Sequence, residues 1–410
     1  MELWKSYRLG DICTVFGRIG FRGYTTEDLT NNPAEGAISL SPTNIVGGEL
    51  DLSKPTYIKW DKYEESPEIM IRPNDVVIVK TGSSVGRTAL VREVVHPMTL
   101  NPQLVVLKDI KVNPTFLSYL VKTARFQGLL KSITVGSAIP TLSQKNLANL
   151  SVDIPDERVQ ERIAHVLNSI DAKILLNNRI NHNLESQAQA LYKAWFVDFK
   201  PFRSKGFVDS ELGLIPIGWN VKPLDSFCSI ISRGFSPKYN ETSSNLVLGQ
   251  RCVRNNLIDI SLARRHDPKS LGERELRKWD ILINSTGMGS LGRVAQIYFS
   301  PDKLTYDSHL TLVRAKDGFS PQYIGRNLLA RQDEIENMAV GSTGQTELPR
   351  ERVRAMPILC PPESIMNEFG HLVEPLANLI QINLEANASL CKDRDELLPR
   401  LMSGVFYHRY

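Results

Sequence analysis

The stretch DERVQERIAHVLNSIDAKILLNNRINHNLESQAQALYKAWFVDF, from Asp156 to Phe199, decides how the rest of the chain is read. Within it Ile163, Leu167, Ile170, Ile174, Asn177, Asn181, Leu184, Ala188, Leu191 and Trp195 recur alternately four and three residues apart. That spacing is the a/d seam of a coiled coil, sustained over several heptads. At ~1.5 Å per residue the helix would be about 65 Å long, more than a globular core can cover. It requires a partner helix of similar length.

The chain supplies one. A shift of 206 places along the sequence turns the seam into Phe369, Val373, Leu376, Ile380, Asn383, Asn387, Leu390, Arg394, Leu397 and Leu401. The two off-pattern asparagines recur as Asn383 and Asn387, and Leu184 and Leu191 recur as Leu390 and Leu397. Asparagine in such a seam costs stability but fixes register, because only matched partners satisfy its amide. Asn177, Asn181, Asn383 and Asn387 are therefore read as register residues of an antiparallel pair.

The repeat extends beyond the helices. Leu9-Gly-Asp-Ile-Cys13 matches Leu224-Asp-Ser-Phe-Cys228, and Gly48-Glu-Leu-Asp-Leu-Ser53 matches Asn256-Leu-Ile-Asp-Ile-Ser261. An acidic turn, a strand and a glycine loop follow: Asp75-Val-Val-Ile-Val-Lys-Thr-Gly-Ser-Ser-Val-Gly-Arg87 and Asp280-Ile-Leu-Ile-Asn-Ser-Thr-Gly-Met-Gly-Ser-Leu-Gly-Arg293. Asn101 to Leu107 and Asp307 to Val313 then read as strands, and Pro114 to Thr123 and Pro321 to Ala330 as helices. Val135-Gly-Ser137 pairs with Val340-Gly-Ser342, and Pro155 and Pro361 precede the long helices, where proline is well tolerated. The drift in offset places an insertion of about ten residues early in the first half.

The expected fold is α+β: two α/β domains, rich in short strands and glycine turns, separated by two long antiparallel coiled-coil helices in a pseudo-two-fold internal repeat. The boundaries read as domain 1 over 1–155, a central helix over 156–200, domain 2 over 201–360 and a C-terminal helix over 361–410. A helix pair with a domain at each end would make a dumbbell.

A chain of 410 residues with 42% apolar and 23% charged residues is an ordinary globular composition. It has no apolar run of membrane-spanning length, and Met1-Glu-Leu-Trp-Lys5 is not a signal core, so a cytoplasmic location is expected. Cys13, Cys228, Cys252, Cys360 and Cys391 are scattered, which disfavours disulfides and zinc, and no metal site is expected. A net charge of +4 permits nucleic-acid binding without demanding it.

Catalytic signatures are absent from the pattern. Lys80-Thr-Gly-Ser-Ser-Val-Gly-Arg-Thr88 is one residue too short for a phosphate loop and carries Arg87 where lysine is needed; the second copy lacks the lysine too. Two readings stay open for it. It is a tight turn between strands, or a small flexible loop in which Lys80, Ser83, Ser84 and Arg87 approach a phosphate backbone. Cys360-Pro-Pro-Glu363 reads as a helix start, and His165 and His371, at equivalent helix positions, read as structural residues beside the seam. No cofactor is expected.

Binding features are better represented. Arg18, Phe21, Arg22 and Tyr24 form a basic-aromatic cluster, echoed by Arg233, Phe235, Lys238 and Tyr239. Gln250, Arg251, Arg254 and Asn255 are types that read base edges, and Arg293 closes the second glycine loop. Arg264, Arg265, Lys269, Arg274, Arg277 and Lys278 add a basic loop, diluted by Asp267, Glu273 and Glu275. Recurrence at equivalent places in both halves favours DNA binding over isolated surface patches.

With these landmarks the chain resembles the specificity subunits of type I restriction-modification systems, over essentially its whole length. The closest local marks are Tyr192-Lys-Ala-Trp-Phe-Val-Asp-Phe199, Pro216-Ile-Gly-Trp219, the two strand-glycine-loop units, Gly136-Ser137 and Gly341-Ser342. It departs at Val159-Gln-Glu161, and further at Ser364-Ile-Met-Asn-Glu-Phe369. The resemblance implies a non-catalytic DNA reader with two target-recognition domains, each taking one half of a bipartite, asymmetric double-stranded site, with the helices as a ruler. It also implies two modification (methyltransferase) subunits, carrying S-adenosylmethionine chemistry, docked on the helices, and restriction subunits joining them. The competing classes are an NTPase or nuclease using the glycine loops, and a scaffold whose coiled coil tethers two protein-binding domains. Turnover by the chain alone would identify the first; DNA affinity without salt dependence would identify the second.

Overall fold

The computed structural model describes residues 4–134, 141–268, 271–341 and 346–403; Val135, Gly136, Ser137, Lys269 and Ser342, singled out above, lie outside these, as does the side chain of Phe21. The chain divides into two compact units, Met1–Leu175 with Ala388–Tyr410, and Leu176–Asn387.

Two long helices, Glu157–Phe196 and Glu363–Met402, hold 40 residues each, about 60 Å at ~1.5 Å per residue. Every seam position is buried or half-buried. Asn177 Nδ2 donates to Asn387 Oδ1 at 2.8 Å, and Asn383 Nδ2 donates to Asn181 Oδ1 at 2.8 Å. Asn387 Nδ2 also donates to Asn178 Oδ1 at 2.9 Å. Ascending numbers on one helix meet descending numbers on the other, so the helices run antiparallel. His165 and His371 are exposed rather than packed beside the seam, because they fall on the outer face. The second helix continues through Pro375 and Pro399, each lacking the N–H of an i→i−4 bond; both stand exposed, where water can take the freed carbonyl.

The duplication is visible strand by strand. The first unit has an antiparallel sheet in the order Thr14–Phe16, Leu104–Lys108, Val76–Val79, Thr88–Leu90. The second has Cys228–Arg233, Leu310–Ala315, Ile281–Asn284, Val294–Gln296 in the same order. Beside each lies a smaller sheet with one parallel pair, Met98–Leu100 with Gly36–Leu40 and Leu304–Tyr306 with Leu246–Leu248. The first of these sheets gains an extra strand, Leu29–Thr30, in the region where the sequence places the insertion. Finally Trp4–Arg8 pairs with Ser151–Pro155, and Asn220–Pro223 with Pro357–Cys360, which delivers each chain segment to its long helix. Val76–Val79 and Leu104–Lys108 are buried on both faces, which is why they read as apolar runs rather than alternating ones.

The acidic turn before each central strand has a specific task. Asp75 Oδ2 accepts from the Arg72 backbone N–H at 2.8 Å and from Lys108 Nζ at 2.7 Å. Asp280 accepts from the Arg277 N–H at 2.7 Å and from Arg314 Nε and a terminal nitrogen at 2.7 and 2.6 Å. Both pairs are buried, and burial raises the Asp75 carboxyl while Lys108 pulls it back down. Removing one partner of such a pair would strand the other charge.

The aromatic run ending the first long helix builds core. Tyr192 and Phe196 pack with Phe202, Trp219, Tyr323 and Phe369, with ring centroids 4.7 Å apart for Phe196–Tyr323 and 4.9 Å for Phe202–Trp219. In the first unit Val159, Ile163, Ala164 and Leu167 pack on Phe116, Leu117 and Leu120, with Leu397, Leu398, Leu401 and Met402 alongside.

Candidate nucleic-acid interface

Each glycine loop joins adjacent antiparallel strands. Gly82 (φ +102°) and Gly86 (φ +89°) take left-handed conformations, Gly86 N–H donates to the Val79 carbonyl at 3.0 Å, and the Arg87 N–H donates to the Ser84 carbonyl at 3.1 Å. A side chain at Gly86 would collide with Gln127, whose Nε2 donates to the Gly86 carbonyl at 2.9 Å. The second loop repeats this, with Gly287, Gly289 and Gly292 at positive φ and the Gly292 N–H on the Asn284 carbonyl at 2.9 Å. The turn reading is realised in both copies. It also presents the loops: Ser83 and Arg87 are exposed, as is Arg293, whose guanidinium donates to the Gly289 carbonyl at 2.6 Å.

Lys80 lies half-buried at the start of its loop, where burial pushes its ammonium down. Its backbone N–H donates to the Gln103 carbonyl, and its own carbonyl accepts from Leu142 N–H, both at 2.8 Å. In the second domain the Ser285 backbone occupies the same position between His309 and Leu348. The strand ends, the glycine loop and the segments at Leu142 and Leu348 therefore meet at one end of each main sheet. Thr286 Oγ1 and His309 Nδ1 meet there at 2.7 Å.

Not every basic residue expected at this interface is available to it. Arg18 is 3% exposed; its guanidinium donates to the Leu100 carbonyl at 3.0 Å, the Arg22 carbonyl at 3.2 Å and Thr99 Oγ1 at 3.2 Å. Its ring neighbour Tyr24 donates or accepts with Ser39 Oγ at 2.8 Å, and Arg22 reaches Glu68 at 3.4 Å. Arg18 is thus a corrected expectation: it ties the loop to the strand ends because the Leu100 and Arg22 carbonyls lie within its reach. Arg233 is similarly engaged, on the Leu348 carbonyl at 2.7 Å and Glu347 at 2.8 Å. Gln250 turns its carbonyl inward against Gly287.

Lys238, Tyr239, Arg251 and Arg254 are exposed, and Arg254 Nε braces on the Arg251 carbonyl at 2.8 Å. Tyr239 carries Arg264 over its ring at 3.4 Å, a pre-oriented cation on a half-exposed aromatic. Sequence reading missed the buried cations Lys108 and Arg314. The signal was there: they are 33 and 34 residues beyond their aspartates. Among the described residues no group of three or more His, Cys, Asp or Glu side chains gathers as a metal site, and no helix is long and apolar enough to cross a membrane.

Comparison with known proteins fits this architecture. The family of type I restriction modification DNA specificity domains matches residues 1–186. The MjaIX type I restriction enzyme specificity subunit of Methanocaldococcus jannaschii is 28% identical over 361 residues, 84% of this chain and 80% of that one. The chain is similar to the specificity subunits of type I restriction-modification systems. The HindI specificity subunit of Haemophilus influenzae is 27% identical over 214 residues, half of this chain and 43% of that one. In fold, the crystal structure of the type I S subunit from M. genitalium superimposes with a TM-score of 0.60 at 14% identity, covering 97% of this chain and 96% of that one. In this chain both glycine loops are tight turns between antiparallel strands.

Proposed function

We propose that this chain is a specificity subunit, each domain of which reads one half of a bipartite, asymmetric double-stranded DNA site. The helix pair sets the unspecified spacer and docks two modification subunits, which restriction subunits then join, in the cytoplasm. The domains are residues 1–155 and 201–360, and the helical regions 156–200 and 361–410. The observation that carries this reading is the duplication itself. One strand order is written twice, while the side chains at equivalent loop positions differ: Pro42, Thr43 and Val46 stand where Gln250, Arg251 and Arg254 stand in the second copy. A repeated scaffold with unlike readers suits a site whose halves are unlike, since symmetric readers take palindromes.

Ser83, Ser84, Arg87, Lys238, Tyr239, Arg251, Arg254 and Arg293 form the contact set, with Lys80 flanking it; phosphate contacts position the domain and base-edge contacts specify. Arg18, Arg22, Tyr24, Arg233 and Gln250, turned to partners or positions within the fold, leave the set.

The test is a methylation map. The chain is expressed with its modification subunit in a methylation-free host, and every modified adenine is located by single-molecule sequencing. A split motif with a fixed gap is the expected result, and exchanging one domain should change one half of it. A stable complex that methylates nothing new would exclude the reader and favour a scaffold.

A further inference from the structure

Beside the first glycine loop lies a cavity of about 650 Å³, with Arg87, Lys122, Tyr119, Asp171 and Arg394 among the residues lining it. Its charges are unevenly matched. Arg394 is engaged with Asp171 and Asp395, at 2.9 Å each, and Tyr119 donates its hydroxyl to Asp171 at 2.6 Å. Lys122 has no carboxylate within ion-pair distance among the described residues. Its ammonium makes a 3.4 Å contact with the Gly48 carbonyl and lies 5.2 Å from the Tyr119 ring centroid. Burial drives its pKa down, countered only in part by Asp171 and Glu49. Arg87, across the cavity, forms no ion pair or side-chain hydrogen bond among the described residues.

The surroundings are shaped to hold Lys122 there. Gly48 has φ +87°, and a Cβ at that position would stand 2.7 Å from the ammonium. The corresponding residues in the second domain are Asn256 and Leu329, so no cation is placed in this way in the other copy. A half-buried ammonium without a counterion is costly, and an arriving anion would relieve that cost. The number of charges limits which anion. Arg87, Lys122 and Arg394 against Asp171 and Asp395 leave a single positive charge, which a singly charged phosphodiester would neutralise. A phosphate dianion or a nucleoside polyphosphate would face two carboxylates with its excess charge.

We infer that this cavity seats one phosphodiester of the DNA backbone, held between Lys122 and Arg87, and that the contact is blind to sequence. The contact belongs to the first domain alone and adds affinity without reading a base. It rests on the reading of the chain as a DNA-specificity subunit.

The test uses the complex of the full chain with its modification subunits, carrying Lys122→Leu or Lys122→Arg. Affinity is measured against salt on a duplex with the mapped site and on a random duplex. Losing one phosphate contact should make the log–log salt slope shallower by about 0.9, so that between 50 and 200 mM salt the variant loses about three- to fourfold less affinity than wild type. The low-salt loss should be the same on both duplexes, the methylated motif unchanged, and Lys122→Arg close to wild type. Leucine is the residue of the other copy and removes an unpaired charge, and thermal unfolding verifies that the variant folds.

A slope equal to wild type overturns the inference. So does a changed motif, which would make Lys122 a base reader. Weaker capture of the modification subunit at an unchanged slope would give the cavity to a protein carboxylate, and stabilisation by inorganic phosphate without any effect on DNA would give it to a free anion; either result also overturns it. A wild-type complex that methylates no split motif defeats the specificity reading instead, and the random-duplex slope still decides the cavity.

Discussion

The two domains grip the first long helix with exchanged chemistry. In the first, the carboxylate of Asp171 accepts the Tyr119 hydroxyl at 2.6 Å and an Arg394 nitrogen at 2.9 Å, while Arg92 turns to Glu49 and Asn168. In the second, Arg326 occupies the position of Tyr119 and Tyr298 that of Arg92. Arg326 donates to Glu185 and, at 2.8 Å, to the Tyr298 hydroxyl. One scaffold therefore holds a helical carboxylate through a phenol in one copy and a guanidinium in the other. The difference is burial: the Arg326 side chain is 1% exposed, whereas that of Arg394 is 26% exposed. The second grip concentrates its charge in one buried pair; the first distributes it over partners that water still reaches.

That contrast predicts unequal fragility. Arg326→Leu strands Glu185 and should destabilise the second unit by about 3–5 kcal/mol in urea unfolding. Adding Glu185→Leu should recover most of it, and a single-variant loss below about 1 kcal/mol would remove the distinction between the grips. Tyr119→Phe deletes one hydrogen bond to a carboxylate that keeps its arginine, so the first unit should lose only about 1.5 kcal/mol, the low end for bonds to charged groups. A loss as large as that of Arg326→Leu would show that the first grip is equally concentrated.

A smaller asymmetry is pH-dependent. His266 is fully buried in the second unit, with Nε2 at 2.8 Å from Thr305 Oγ1, and burial lowers its pKa against the opposing pull of Asp267. The unfolded chain takes up a proton near pH 6.5 that the folded chain refuses. Stability from this group is therefore full above that pH and falls as the pH drops below it, by at most about 1.4 kcal/mol per unit. His266→Gln should flatten this component of the second unit's unfolding profile between pH 7 and 5. An unchanged slope would assign the acid sensitivity elsewhere.

How much was legible follows physical lines. Periodicity is local in sequence, so the a/d seam announced both long helices, and the glycine loops marked tight turns because their glycines must adopt positive φ. The paired asparagines were readable because two copies of one pattern shared the same exceptions. The binding surface was less legible. Arg18 and Arg87 are the same residue type at loop positions, yet one donates to the Leu100 and Arg22 carbonyls while the other is exposed and makes no side-chain hydrogen bond among the described residues.

By itself the sequence determined the duplication, the two long helices, the order of strands and turns, and the resemblance to specificity subunits, because each leaves a repeated or periodic trace along the chain. Only the tertiary structure decided which cations are committed to the fold and which stand open. It buried Arg18, Lys108, Arg314 and Arg326 against oxygens distant in sequence, and left Lys122 beside Gly48 with no carboxylate at ion-pair distance among the described residues. The reason is that a charge takes its role from the oxygens and the solvent around it, and those are set by contacts between residues tens to more than a hundred positions apart.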